Sequence, residues 1–237
     1  MTDFQLPKYT SIVGSKFEKD GSARRYPGNT IICAIDSESV AHDALFAIQN
    51  GLKSASFAPA FTFLPAQSFH MTLYRGVNDE LRVPDEWPLD IPLDTPLDEV
   101  TDIFRNRIKD ITMPDGFRMR PTRFANADSG ESQLFLEPFD LSEARKLTTA
   151  VHTLRKALNH RRTGDDNYHF HITFSYQIKH LSRDQKRELQ KLNAGLFRNF
   201  AGNLNPLNIG APKLCCYDNM LQFVPVFQSS LEGQNHI

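Results

Sequence analysis

The stretch Tyr168-His169-Phe170-His171-Ile172-Thr173-Phe174-Ser175-Tyr176 alternates residue by residue. Side chains of an extended chain repeat with period two. Tyr168, Phe170, Ile172, Phe174 and Tyr176 therefore share one face, and His169, His171, Thr173 and Ser175 share the other. The first face is aromatic or aliphatic throughout and predicts burial. The second carries two imidazoles and two hydroxyls, a polar face unusual for a strand with such a back. An earlier stretch, Phe69-His70-Met71-Thr72-Leu73-Tyr74, repeats the pattern. There Phe69, Met71 and Leu73 form the apolar face, and His70, Thr72 and Tyr74 the polar one. Strict alternation sends Arg75 to the side away from His70 and puts Tyr176 in the core.

Working outward, the short apolar run Thr30 to Ile35 predicts a buried strand. Asp36 or Ser37 is placed to cap a helix whose stripe is Ala41, Ala44, Leu45, Ile48 and Leu52. Pro84, Pro88 and Pro92 mark a loop, and Thr95-Pro96 opens a helix through about Lys109. Phe117 to Phe124 reads as a strand interrupted at Pro121, with Leu134-Phe135-Leu136 as its hairpin partner. Ser142 caps a helix carrying Leu147, Val151, Leu154 and Leu158. Ser182 to Gln185 is a capping-box pattern opening a charged helix to about Leu196. Two strands, Lys213 to Tyr217 and Leu221 to Phe227, end the chain.

The order strand, helix, His-bearing strand thus occurs twice. This predicts an α+β fold, bilobal, with two pseudo-twofold-related antiparallel sheets, helices on their outer faces and a central cleft. The expected single bilobal domain has one lobe at about 28–80 plus 205–228 and another at about 112–180. Residues 1–27 form an arm lying on the surface, whose alternative role is a flap bringing its cations Lys16, Lys19, Arg24 and Arg25 to an anionic ligand. Residues 228–237 form a tail.

Composition bounds the function. The chain has 237 residues, 40% hydrophobic and 23% charged, with a net charge of −1. That suffices for a real core. The near-zero charge excludes wrapping of long duplex nucleic acid and points to a small substrate. The cysteines Cys33, Cys215 and Cys216 lack metal-ligand spacing and fit a reducing compartment. With no signal-like segment and no apolar run of membrane-spanning length, the expectation is a cytoplasmic protein with no membrane partner.

The paired motifs His70-Met71-Thr72-Leu73 and His171-Ile172-Thr173-Phe174 resemble the signature of the 2H phosphoesterase superfamily: His, hydrophobic, Ser or Thr, hydrophobic, twice. The flanking Pro27-Gly28-Asn29-Thr30, Leu64-Pro65 and Tyr168-His169-Phe170 look like an uncharacterised LigT-like branch. The resemblance covers roughly residues 28–228. His180-Leu181-Ser182 also fits His-x-Ser, but Arg183 breaks it and Ser182 serves better as a cap. The superfamily includes RNA 2′–5′ ligase-like proteins and cyclic phosphodiesterases, so the resemblance implies a nucleotide or RNA 3′-end substrate.

It also implies roles. Phosphodiester cleavage needs a base for the attacking oxygen and an acid for the leaving one. Two imidazoles supply both near neutral pH. Thr72 and Thr173 hydroxyls donate to the non-bridging oxygens, so His70 and His171 are the expected catalytic pair, with no metal and no cofactor. Tyr74, His169 and Ser175 extend the polar faces as candidate substrate-binding residues. Arg118 and Arg120 read as a solvated strand face, and Trp87 as a loop anchor. A cupin-like metal enzyme using His169, His171 and His70 is a competing class. A carboxylate belongs a few residues after its His-x-His, where Ser175 and Tyr176 stand, and it leaves both threonines unexplained. The same paired motifs would also serve an RNA 2′–5′ ligase-like activity, or a nucleotide or RNA-end binder without turnover.

Overall fold

The computed structural model describes residues 8–162, 164 and 167–226. The start of the arm, the 228–237 tail and Phe227 of the last expected strand lie outside the described residues. In chain order the elements are β1 (Gly28–Ala34), α1 (Val40–Lys53), β2 (Phe61–Phe63), β3 (His70–Asn78), α2 (Leu97–Ile108), β4 (Gly116–Phe124), β5 (Glu131–Pro138), α3 (Leu141–Leu158), β6 (His171–Gln177), α4 (Arg183–Asn199), β7 (Leu207–Gly210), β8 (Pro212–Tyr217) and β9 (Val224–Pro225).

Helix starts follow local chemistry. Ser39 rather than Asp36 or Ser37 caps α1, accepting from the His42 amide. Asp140 rather than Ser142 caps α3, accepting from Glu143. Ser182 and Gln185 form the expected reciprocal capping box at α4. The proline-rich loop is pinned by Trp87, whose indole N–H donates to the Pro92 carbonyl at 3.1 Å. Arg118 pairs with Asp140 and Glu143, and Arg120 with Glu137, as a solvated face should.

The fold is α+β with an antiparallel sheet, but the strands form one sheet rather than two. Their order is β7-β4-β5-β6-β3-β1-β8-β9, with β2 beside β6. The halves join where Met71 of β3 pairs with Ile172 of β6. Only Ala211 separates β7, at one end of this path, from β8, near the other. That covalent tie draws the ends together, so the sheet curls. It also pairs Leu207–Gly210 with β4, while Pro212–Tyr217 pairs with β1. One face of the sheet packs on the helices: Met71, Leu134, Ile172 and Phe174 share a buried core with Leu45 and Ile48 of α1 and Leu147 and Leu154 of α3. The other face carries the His and Thr side chains. Among the described residues no helix is long and apolar enough to cross a membrane.

Candidate active site

The pairing of Met71 with Ile172 sets the site. In an antiparallel register, one step to either side places His70 across from Thr173 and Thr72 across from His171. All four line one cleft of about 410 Å³, a size suited to a small ligand.

Both imidazoles are oriented by the same local device. His70 Nδ1 lies 2.6 Å from the Ser68 carbonyl, and His171 Nδ1 lies 2.7 Å from the His169 carbonyl. A carbonyl only accepts, so Nδ1–H donates in each case. That fixes the tautomer, and the neutral ring keeps its free lone pair on Nε2. Burial pushes the His70 imidazolium down to about 4; its hydrogen bond to Ser68 opposes this and the nearby His171 adds to it. Burial also lowers His171, opposed by the His169 carbonyl and the charge of Glu131. Two rings poised neutral suit a site that acquires its proton together with an anion. Aromatic neighbours hold each ring: Phe223 lies 4.4 Å from His70 and Tyr168 5.7 Å from His171, centroid to centroid.

Just past each motif the strict alternation fails, for one reason repeated. On β3, Ile31 pairs with Tyr74 but Ile32 with Thr72, leaving Leu73 as an extra residue. On β6, Ser132 pairs with Ser175 but Gln133 with Thr173, leaving Phe174 extra. Each is a bulge immediately after the motif threonine, and each inverts the faces beyond it. Buried groups cap both bulges. Thr30 Oγ1 donates to the Tyr74 carbonyl at 3.2 Å, and Gln49 Nε2 of α1 donates to the Phe174 carbonyl at 3.2 Å and to that of Leu64 at 2.8 Å.

Several expectations are thereby corrected. Tyr74 packs in the core and donates its hydroxyl to the His160 carbonyl, away from the cleft. Ser175 is buried opposite Ser132, and neither hydroxyl has a hydrogen-bond partner. Arg75, expected on the far side, lines the cleft instead; Tyr176 is buried as expected, but in a small separate core with Phe17 and Met220 that also borders the cleft. His169 stands before β6, exposed, and its ring packs edge-on to Phe135 at 5.8 Å. Its backbone carbonyl accepts from His171 Nδ1, and its ring adds to the lowering of His171. The cupin-like alternative requires an all-β jelly roll, which this sheet with four helices is not.

The cleft also gathers residues that the motifs did not indicate. Lys16 comes from the arm, Tyr26 from just before β1, Glu131 and Gln133 from β5, Arg162 from the loop after α3, Tyr217 from β8 and Phe223 from just before β9. Arg162 donates to the Gly76 carbonyl at 3.1 Å and pairs with Glu86. Arg75 lies 5.5 Å from the Tyr168 ring. The local balance is cationic, three basic side chains to one acid, although the whole chain carries −1. Among the described residues no three or more His, Cys, Asp or Glu converge as a metal site.

A family model described as "2H-phosphodiest: Domain of unknown function (DUF1868)" matches residues 16–130. Among solved structures, a conserved protein of unknown function from Agrobacterium tumefaciens strain C58 is 24% identical, with a TM-score of 0.86 over 93% of each chain. E. coli LigT complexed with 3′-AMP is 12% identical, with a TM-score of 0.52 over 85% of this chain and 96% of that one. A structure described as a phosphoesterase is 13% identical, with a TM-score of 0.51 over 84% and 95%. The comparison with curated proteins found no match. The family model thus matches just under half of the chain, and the solved structures share its fold.

Proposed function

We propose that the protein is a metal-independent phosphodiesterase that hydrolyses a phosphodiester of a nucleotide or RNA end, a 2′,3′-cyclic phosphate being the simplest case. The observation that carries this reading is the matched pair of imidazoles. Each is locked through Nδ1 to the carbonyl two residues back, and each faces a threonine across the β3–β6 seam.

In the proposed reaction the phosphoryl group sits among His70, Thr72, His171 and Thr173. The neutral imidazole takes a proton from water through Nε2 as the water oxygen bonds to phosphorus. The bond from phosphorus to one ribose oxygen breaks, and the protonated imidazole delivers its proton there. A phosphomonoester and a free hydroxyl result. The threonine hydroxyls donate to the non-bridging oxygens, where charge builds in the transition state. Arg75 and Arg162 add positive potential that draws the anion in. Acid, base and donors are then all supplied by this chain.

The test is turnover of nucleoside 2′,3′-cyclic phosphates, ADP-ribose cyclic phosphate and short oligoribonucleotides with cyclic ends, before and after exhaustive chelation. The expected result is hydrolysis of at least one, undiminished by chelation. No turnover of any, or activity that returns only with added zinc or manganese, overturns the reading.

A further inference from the structure

Lys16 reaches the cleft from a segment that the His-Thr motifs do not involve. The segment is rigidly built. The Lys16 amide donates to the Ile12 carbonyl at 2.9 Å, and its carbonyl accepts from the Arg24 amide at 2.9 Å. The next residue, Phe17, is fully buried in a small second core with Leu64, Tyr176, Ile178 and Met220. Phe17 packs on the Tyr176 ring at 5.2 Å. The arm is therefore a fixed wall of the cleft at this point, and its lysine is aimed by backbone bonds on both sides.

The ammonium sits 5.0 Å from the Tyr176 ring centroid and 5.6 Å from that of Tyr26. Ring faces attract a cation and ease its partial desolvation, but they do not neutralise it. Glu18 pairs with Arg24, whereas Asp20 and Glu131 of the cleft accept only from the neutral Ser22 and Gln133 and are not ion-paired to Lys16. A half-buried lysine over two aromatic rings, with no carboxylate among the described residues paired to it, is a site prepared for an anion.

Tyr176 stands three positions beyond Thr173 on β6, roughly 7–10 Å along the strand. Lys16 stands over that ring and over Tyr26, just before β1, rather than over a motif residue. Arg75 stands over the Tyr168 ring, beyond Thr72 and His171.

Resting on the phosphodiesterase reading, we propose that Lys16 is a specificity-determining residue that binds a second phosphoryl group of the substrate. The substrate class is a nucleotide with two phosphates, one reacting between the histidines and one held at Lys16. Either the next internucleotide phosphate of an RNA end or the terminal phosphate of a free nucleotide supplies that chemistry.

Three substrates separate these sources: a nucleoside 2′,3′-cyclic phosphate, the same compound with a 5′-phosphate, and a dinucleotide ending in the cyclic phosphate. kcat/KM is measured for the wild type, Lys16→Met and Lys16→Arg. The methionine keeps an apolar stem against the tyrosines and removes the charge. The expected result is a wild-type preference of about tenfold or more for one of the two-phosphate substrates over the plain one. That ratio collapses toward one in Lys16→Met and persists in Lys16→Arg. A wild type without preference, or a preference that survives in Lys16→Met, overturns the proposal. If none of the three turns over, the phosphodiesterase reading fails on its own. Calorimetric binding then reads the site without turnover: adenosine 3′,5′-bisphosphate should bind about tenfold tighter than adenosine 3′-monophosphate, and Lys16→Met should remove the difference. Equal affinities in the wild type overturn the second-phosphate site.

Discussion

Met71 and Ile172 face each other across β3 and β6, both fully buried. They belong to the two His-x-Thr motifs, and their contact is what makes two motifs one site. Because side chains alternate, the residues on either side of each emerge together on the opposite face, His beside Thr in both cases. The hydrophobic pair beneath sets the register of the polar quartet above.

On a substrate identified from the cyclic-phosphate panel, His70→Ala and His171→Ala should each lower kcat by about 10²–10⁴-fold, the usual contribution of a positioned acid or base. The double variant should lose much less than the product of the two, since either loss alone disables the relay. Steady-state kinetics checks this. Near-normal turnover in either single variant removes the paired-imidazole mechanism.

The pH profile of kcat/KM should be a bell with its maximum on the acid side of about 6.5, the ordinary imidazole value. The base must be neutral, and burial keeps His70 neutral down to about pH 4. The acid must be charged, and since burial lowers His171 as well, that proton is lost as pH rises through a value below the usual one. The two apparent values belong to the pair. The kcat profile, which reports the complex, should lie at higher pH, because a phosphoryl charge between the rings favours imidazolium. A kcat/KM maximum above about pH 7.5 in the free enzyme, a full unit past the ordinary imidazole value, contradicts this electrostatic picture.

Stability should fall on acidification in a window set by His70. Unfolded, its imidazole titrates near its usual value of about 6.5; folded, it titrates at about 4. Between these values the unfolded chain binds the extra proton. Stability is therefore full above about 6.5 and declines as pH drops toward 4, by on the order of 3 kcal/mol. His171 acts in the same direction. Urea titrations across this range should show the decline in the wild type and a shallower one in His70→Gln. Parallel curves would place the loss elsewhere.

The two bulges sort neighbouring residues. Tyr74→Phe removes a buried hydroxyl bonded to the His160 carbonyl and should cost about 1 kcal/mol of stability while leaving KM in place. Arg75→Ala, one residue along, should raise KM several-fold through loss of cationic potential in the cleft. Chemical denaturation and initial-rate kinetics on the two variants give the answer. The opposite pattern would restore the unbulged strand.

Gln49 is fully buried and spans from Lys53 to the carbonyls of Leu64 and Phe174. Gln49→Met should destabilise by roughly 1–3 kcal/mol, because the amide's donors to buried carbonyls are lost. It should also blur the β6 bulge, raising amide exchange at Phe174 and Ser175. Unchanged exchange there would mean that the bulge holds without α1.

The sequence by itself determined the elements that carry chemistry. Period-two alternation around His70 and His171 marks two strands with one apolar and one polar face, and burial of Met71, Ile172 and Phe174 follows from that pattern alone. Capping of α4 by Ser182 and anchoring of the loop by Trp87 were legible for the same reason: each depends on residues within a few positions. Tertiary structure decided which strands meet, since a cross-strand partner leaves no trace in local periodicity. It also decided the faces beyond each threonine. An extra Leu73 or Phe174 is one more apolar residue to the eye, yet it turns Tyr74 and Ser175 inward and Arg75 toward the cleft. Lys16 and Arg162 lie on segments without a strand or helix signal of their own, and only the folded chain brings them, with Phe223, to the histidines.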